Sequence, residues 1–134
     1  MSNSYHGENQ WGGVSAPWHD AGNWVIGGRD NQRVIKLDAE SHDNGASLNG
    51  TMVYAGEGPI GFKAHRVSGN SYTVENQWGG NAAPWHAGGT WTIGSRGDGQ
   101  PVIAIHIASS DNGNSFNGSM TYRGEGPIGL KLHH

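Results

Sequence analysis

The chain has 134 residues, no cysteine and a formal net charge of −3, which excludes a disulfide framework or thiolate metal site and leaves no electrostatic footprint for nucleic acid or an anionic membrane. No apolar run approaches the ~20 residues of a membrane helix, so membrane insertion is not expected, and the polar opening MSNSYHGENQ lacks the basic and apolar regions of a secretory signal, so the cytoplasm is the default location. Glycine supplies 24 residues and tryptophan six, a turn-rich all-β composition in which the aromatic and β-branched runs remain periodic.

In chain order, the first distinctive segment is Glu8 to Gly13 (ENQWGG), followed by Ala16 to His19 (APWH). Trp24-Val25-Ile26 reads as a strand, and Ile35 to Ala39 alternates apolar and polar residues with the period of two of a half-buried strand. Asp43 sits in a DNG turn, and Asn49-Gly50 falls between strand-like runs, where it reads as a hairpin turn. Gly56 to Gly61 (GEGPIG) closes the unit, and Val67 to Tyr72 reads as a joint too short for a flexible linker. The same order then starts again. ENQWGG returns at Glu75 to Gly80, APWH at Ala83 to His86, Trp91-Thr92-Ile93 as a strand, and Arg29 maps onto Arg96. One extra residue separates Arg96 from Val102, after which Ile103 to Ile107, Asp111, Asn117-Gly118 and Gly124 to Gly129 repeat their counterparts. So many ordered matches define a tandem duplication, with repeats of about 1–67 and 68–134. Each repeat holds about five strands, and the two close into one barrel, leaving no exposed edges. Two separate small sheets would each bury too little.

Three motifs invite other chemistry. GEGPIG satisfies G-x-G-x-x-G, but proline and strand-like residues follow where a dinucleotide site needs a helix N-terminus. The eight histidines are scattered, His19 and His86 among them, without metal-ligand spacing such as H-E-x-x-H. No metal or other cofactor is expected. Glu57 and Glu125 are the obvious carboxylates for a glycoside hydrolase, but as repeat mates they belong to two equivalent sites rather than to one. Asn49-Gly50-Thr51 and Asn117-Gly118-Ser119 also complete glycosylation sequons, which we read as turns.

The doubled residues suit a sugar ring, with its apolar C–H patch and its rim of hydroxyls. An indole offers a flat platform, adjacent glycines expose backbone groups, arginine donates through a rigid fork and a carboxylate accepts. Trp11 and Trp78 precede Gly-Gly and so belong to loops, whereas Trp18, Trp24, Trp85 and Trp91 read as core. Taken alone, Arg29 with Glu57 and Arg96 with Glu125 read as structural ion pairs.

In ENQWGG, APW, GxR, NG(T/S)M and GEGPIG, over essentially its whole length, the sequence closely resembles the Oscillatoria agardhii agglutinin family of cyanobacterial and bacterial lectins. The resemblance implies a compact ten-stranded antiparallel barrel with two carbohydrate sites at opposite ends. It implies the branched mannose core of high-mannose N-glycans as ligand, bound without metal, and several members inhibit enveloped viruses. It further implies sites built across the repeats. One takes Trp11, Gly12, Gly13, Arg96, Glu125 and Gly126; the other takes Trp78, Gly79, Gly80, Arg29, Glu57 and Gly58. Gly28 in place of the serine its repeat mate keeps at Ser95, Arg123 against Ala55, and the altered loop from Gly97 to Pro101 are departures, the last two flanking the Trp11 site. The expectation is a monomeric, non-enzymatic lectin for high-mannose glycans and glycoproteins, viral envelope glycoproteins included. A glycoside hydrolase and a structural or matrix repeat protein are the alternatives.

Overall fold

A computed structural model describes residues 3–134, and among these ten strands run in chain order. They are β1 (Ser4–Gln10), β2 (Trp18–Val25), β3 (Val34–Glu40), β4 (Ser47–Tyr54), β5 (Ile60–Ser68), β6 (Ser71–Gln77), β7 (Trp85–Thr92), β8 (Val102–Ala108), β9 (Ser115–Tyr122) and β10 (Ile128–His133). The one-residue insertion forms a single 3-10 turn, Gly97–Gly99, between β7 and β8. The strands close a barrel in the order β1-β10-β9-β8-β3-β4-β5-β6-β7-β2, and every neighbouring pair is antiparallel. The barrel and the duplication are both as the sequence implies.

The order also exchanges parts between the repeats. The β1–β2 hairpin of the first repeat pairs through β1 with β10 of the second, while the β6–β7 hairpin of the second pairs through β6 with β5 of the first. The wall β2-β1-β10-β9-β8 therefore joins a hairpin from one repeat to a three-strand meander from the other. The opposite wall repeats the arrangement. The expected joint at Val67 to Tyr72 is a tight hairpin turn at Gly69-Asn70 that leads β5 directly into β6.

Alternation fills the interior. In β3, Leu37 and Ala39 point inward with Val34, and Ile105, Ile107 and Val102 do so in β8. Ile35 is only half-buried: the pairing of β3 with β4 slips between Val34 and Lys36, which makes Ile35 the extra residue of a bulge and gives its inward place to Val34. Trp24 and Trp91 are fully buried, and their indole N–H groups donate to the Ala21 and Gly88 carbonyls at 2.8 and 2.9 Å.

Two expectations are corrected. Trp18 and Trp85 lie outside the core, half-buried on the outer wall under Lys131 and Lys63, whose ammonium groups each stand 4.3 Å from an indole centroid. Asn49-Gly50 and Asn117-Gly118 are inside β4 and β9, not at hairpin turns. Gly50 lies opposite Ala39 and Phe62, and a Cβ there would come 1.9 Å from the Asp38 carbonyl oxygen. Glycine at this place permits a close strand approach. The hairpin turns are Asn44-Gly45 and Asn112-Gly113, where all four residues have positive φ. Asp43 and Asp111 serve those turns, as read from the sequence. Each carboxylate accepts from two serine hydroxyls and a backbone N–H, Ser41 and Ser47 for Asp43, Ser109 and Ser115 for Asp111.

Candidate functional site

The strand directions collect loops at the two barrel ends. β1, β7 and β9 all run toward one end, so the β1–β2, β7–β8 and β9–β10 loops meet there; the β2–β3, β4–β5 and β6–β7 loops meet at the other. Each set combines a loop of one repeat with two of the other.

The QWGG loops are built alike. Gln10 and Gln77 end β1 and β6, and their amide nitrogens donate to carbonyls across the loop, Val14 and Ala16 in one copy, Asn81 and Ala83 in the other. Consecutive positive φ values follow each tryptophan, 94° and 106° at Gly12 and Gly13, 95° and 107° at Gly79 and Gly80. Side chains are strained there, so the Gly-Gly pair is a backbone requirement as well as an opening for ligand. Trp11 and Trp78 stand 47% and 46% exposed, unusual for so large an apolar group. Each is held from one face by a histidine: His19 stacks on Trp11 at 4.0 Å and His86 on Trp78 at 4.1 Å between ring centroids. These histidines brace the platforms and fix the indole orientation before a ligand arrives.

Opposite each platform lies an arginine–glutamate pair. Arg29 Nη1 donates to both carboxylate oxygens of Glu57 at 3.0 Å, and Arg96 Nη1 donates to Glu125 at 2.7 Å. The expected ion pairs therefore exist, but on the surface, where they contribute little stability. Their use is orientation. Each guanidinium lies over a buried tyrosine ring, Tyr54 at 4.1 Å or Tyr122 at 4.5 Å. Among the described residues only Nη1 of each arginine is engaged, which leaves the other N–H donors without a protein partner. Hydrogen bonds from Gln32, then Arg29, hold the Glu57 carboxyl below its usual range, and Gln100, then Arg96, do the same for Glu125. Both remain ionised acceptors at neutral pH.

Platform and ion pair meet across the repeats. Trp11 shares a cleft of about 470 Å³ with Arg96, Glu125, Gly126, Pro127 and Ile128. Trp78 shares one of about 470 Å³ with Arg29, Glu57, Gly58, Pro59 and Ile60. The four flanking glycines stand apart: Gly12, Gly13, Gly79 and Gly80 follow their tryptophans in the loop but do not line these clefts. Because Glu57 and Glu125 line different clefts, they do not flank a single bond. Sequence reasoning missed Gln32, Gln100, Tyr54 and Tyr122. Gln32 and Gln100 were findable, since they align once the insertion is placed, and so were the tyrosines, which repeat at the same place before each GEGPIG.

The departures also gain a physical reason. Arg123 donates to the Gly99 carbonyl at 3.2 Å and braces the longer loop, which Asp98 pins to the β5–β6 turn through Arg66 at 2.7 Å. Gly28 cannot match Ser95, because a Cβ there would lie 2.1 Å from the Gly88 carbonyl oxygen where β2 meets β7.

Two clefts with a fixed aromatic platform, unpartnered donors and ionised acceptors that do not share a cleft define a sugar-binding protein. Comparison with known proteins agrees. The OAA-family lectin sugar binding domain matches residues 3–67 and again 70–134, and the chain belongs to that family of lectins. It is 60% identical over 127 residues to Lectin OAA of Planktothrix agardhii, covering 95% of this chain and 96% of that one. The glycan-bound Pseudomonas taiwanensis lectin superposes with a TM-score of 0.96 at 56% identity, covering 100% of this chain and 99% of that one. The Myxococcus xanthus hemagglutinin, solved in complex with α3,α6-mannopentaose, superposes with a TM-score of 0.95 at 54% identity; the match covers 99% of this chain and 50% of that longer one. The chain is a carbohydrate-binding lectin, in a family of agglutinins rather than enzymes.

Proposed function

We propose that the protein is a divalent, metal-independent lectin for the branched mannose core of high-mannose N-glycans. Its two sites are Trp11, Gly12, Gly13, Arg96, Glu125 and Gly126 at one end, and Trp78, Gly79, Gly80, Arg29, Glu57 and Gly58 at the other. The observation that carries this reading is the doubled cleft, each with an exposed indole from one repeat facing an arginine–glutamate pair from the other. The mannopentaose bound by the Myxococcus xanthus hemagglutinin supports the choice of ligand. Direct contact through neutral hydroxyls needs no ion, and the described residues hold no group of three or more His, Cys, Asp or Glu side chains placed for one.

Sites at opposite ends of one rigid barrel bridge two glycans, which turns modest single-site affinity into avidity and crosslinks glycoproteins, viral envelopes among them, without dimerisation. Titration of α3,α6-mannopentaose, followed by NMR, is expected to shift two sets of indole signals, those of Trp11 and Trp78, with EDTA present. A double Trp11→Ala, Trp78→Ala variant is expected to lose binding and agglutination. Full binding by that variant contradicts the site assignment.

A further inference from the structure

A groove of about 490 Å³ runs along the outer wall from Trp78, away from the Arg29–Glu57 cleft but continuous with it through Trp78, Pro59 and Ile60. Its floor follows one cross-strand row: Thr51 pairs with Gly61, Gly61 with Gln77, and Gln77 with Trp85. Gly61 leaves the middle of that row without a side chain, and the Trp85 ring leans over it, 3.1 Å from where a Cβ would stand. The groove thus has a second indole at its far side. Its rim holds the Asn49 and Asn81 amides, the Thr51 hydroxyl and the Lys63 ammonium, which stands over the Trp85 ring, and no carboxylate lines it. A neutral polyhydroxylated ligand fits that surface better than a cation or a peptide amine.

We propose that this groove is a subsite for the pyranose units that continue a glycan beyond the core held at Trp78, an inference that rests on the mannose-core reading above. Two further observations support it. Asn49 and Thr51 make no side-chain hydrogen bond among the described residues, so their polar groups are available; their repeat mates are Asn117 and Ser119, while outward residues on β3 and β8 diverge, Asp38 against His106 and Glu40 against Ala108. The first copy differs where Asn81 has Val14 as its mate, which is 96% exposed beside Trp11. The subsite is therefore stronger on the Trp78 side than on the Trp11 side.

Three probes test this on the intact chain: α3,α6-mannopentaose, the same core carrying a reducing-end di-N-acetylchitobiose, and an oligomannose with extended outer arms. The pentaose should shift the Trp11 and Trp78 indole signals and leave that of Trp85 unmoved. At least one extended glycan should also shift Trp85, more than Trp18, and bind about fivefold tighter. Which one does so identifies the source of the extra sugars. Thr51→Arg, an exposed substitution that fills the groove, should abolish that gain while leaving pentaose affinity unchanged. Shifts at Trp78 with none at Trp85 for either extended glycan, or a gain that survives Thr51→Arg, overturn the subsite alone. Silence of Trp78 toward all three glycans overturns the core reading, and the subsite with it.

Discussion

At single residues, the site is a set of groups fixed in place before a ligand arrives. The stacked His19 and His86 hold the indoles, and Gln32 and Gln100 hold the carboxylates. Preorganisation of this kind reduces the ordering cost of binding. It also sets a pH dependence. Glu57 and Glu125 are lowered from an ordinary 4.5, so they stay ionised through mildly acidic conditions. Mannopentaose affinity is expected to be flat from about pH 8 to pH 5 and to fall only below the ordinary carboxylate range, a profile that calorimetry at each pH checks. A midpoint near pH 6 would contradict it. Asp111 acts on stability in the same sense. Hydrogen bonds from Ser115 and Ser109 bring its carboxyl from 3.8 to about 2. A lowered folded pKa stabilises above the unfolded value and loses that contribution as pH falls through the folded one. Asp111→Asn should therefore lower the melting temperature at pH 7, and the difference from the parent should vanish near pH 2.

At the level of strands and turns, legibility followed what each residue has to satisfy. The alternation of Leu37, Ala39, Ile105 and Ile107 was readable because one face of a half-buried strand must be apolar. The position of Asn49-Gly50 was not, because a turn glycine and a close-approach glycine are the same letter. Only the pairing partner, the Asp38 carbonyl against Gly50, separates them. The true turns carried the same Asn-Gly signal one motif earlier, at Asn44-Gly45 and Asn112-Gly113. Trp18 and Trp85 misled for a related reason. A tryptophan is apolar enough for a core, but here it covers a glycine on the outer wall, Trp18 over Gly129 and Trp85 over Gly61. The distinction predicts opposite outcomes for small changes. Gly50→Ala, although it adds only a methyl, should force β3 and β4 apart and cost about 1–3 kcal/mol. Denaturant unfolding of the variant measures this directly, and a cost near zero would show that the strand approach is not tight.

For the whole molecule, the duplication is a device for closing a barrel, and the exchange of hairpins between walls has a functional consequence. Because β1 pairs with β10, the loop bearing Trp11 can only meet the loops bearing Arg96 and Glu125, never those bearing Arg29 and Glu57. An isolated first repeat would expose edges at β1, β2, β3 and β5 and hold a platform without its ion pair. The sequence showed the doubled motifs plainly, but their periodicity alone could not say which copy of each meets which; that pairing came from the family resemblance, and the strand order supplies its physical reason. Two double variants test the pairing most directly, with mannopentaose stoichiometry as the readout. Trp11→Ala with Glu125→Gln damages one cleft and should leave one working site, whereas Trp11→Ala with Glu57→Gln damages both and should leave none. The reverse result, one site surviving in the second variant and none in the first, would contradict the exchange.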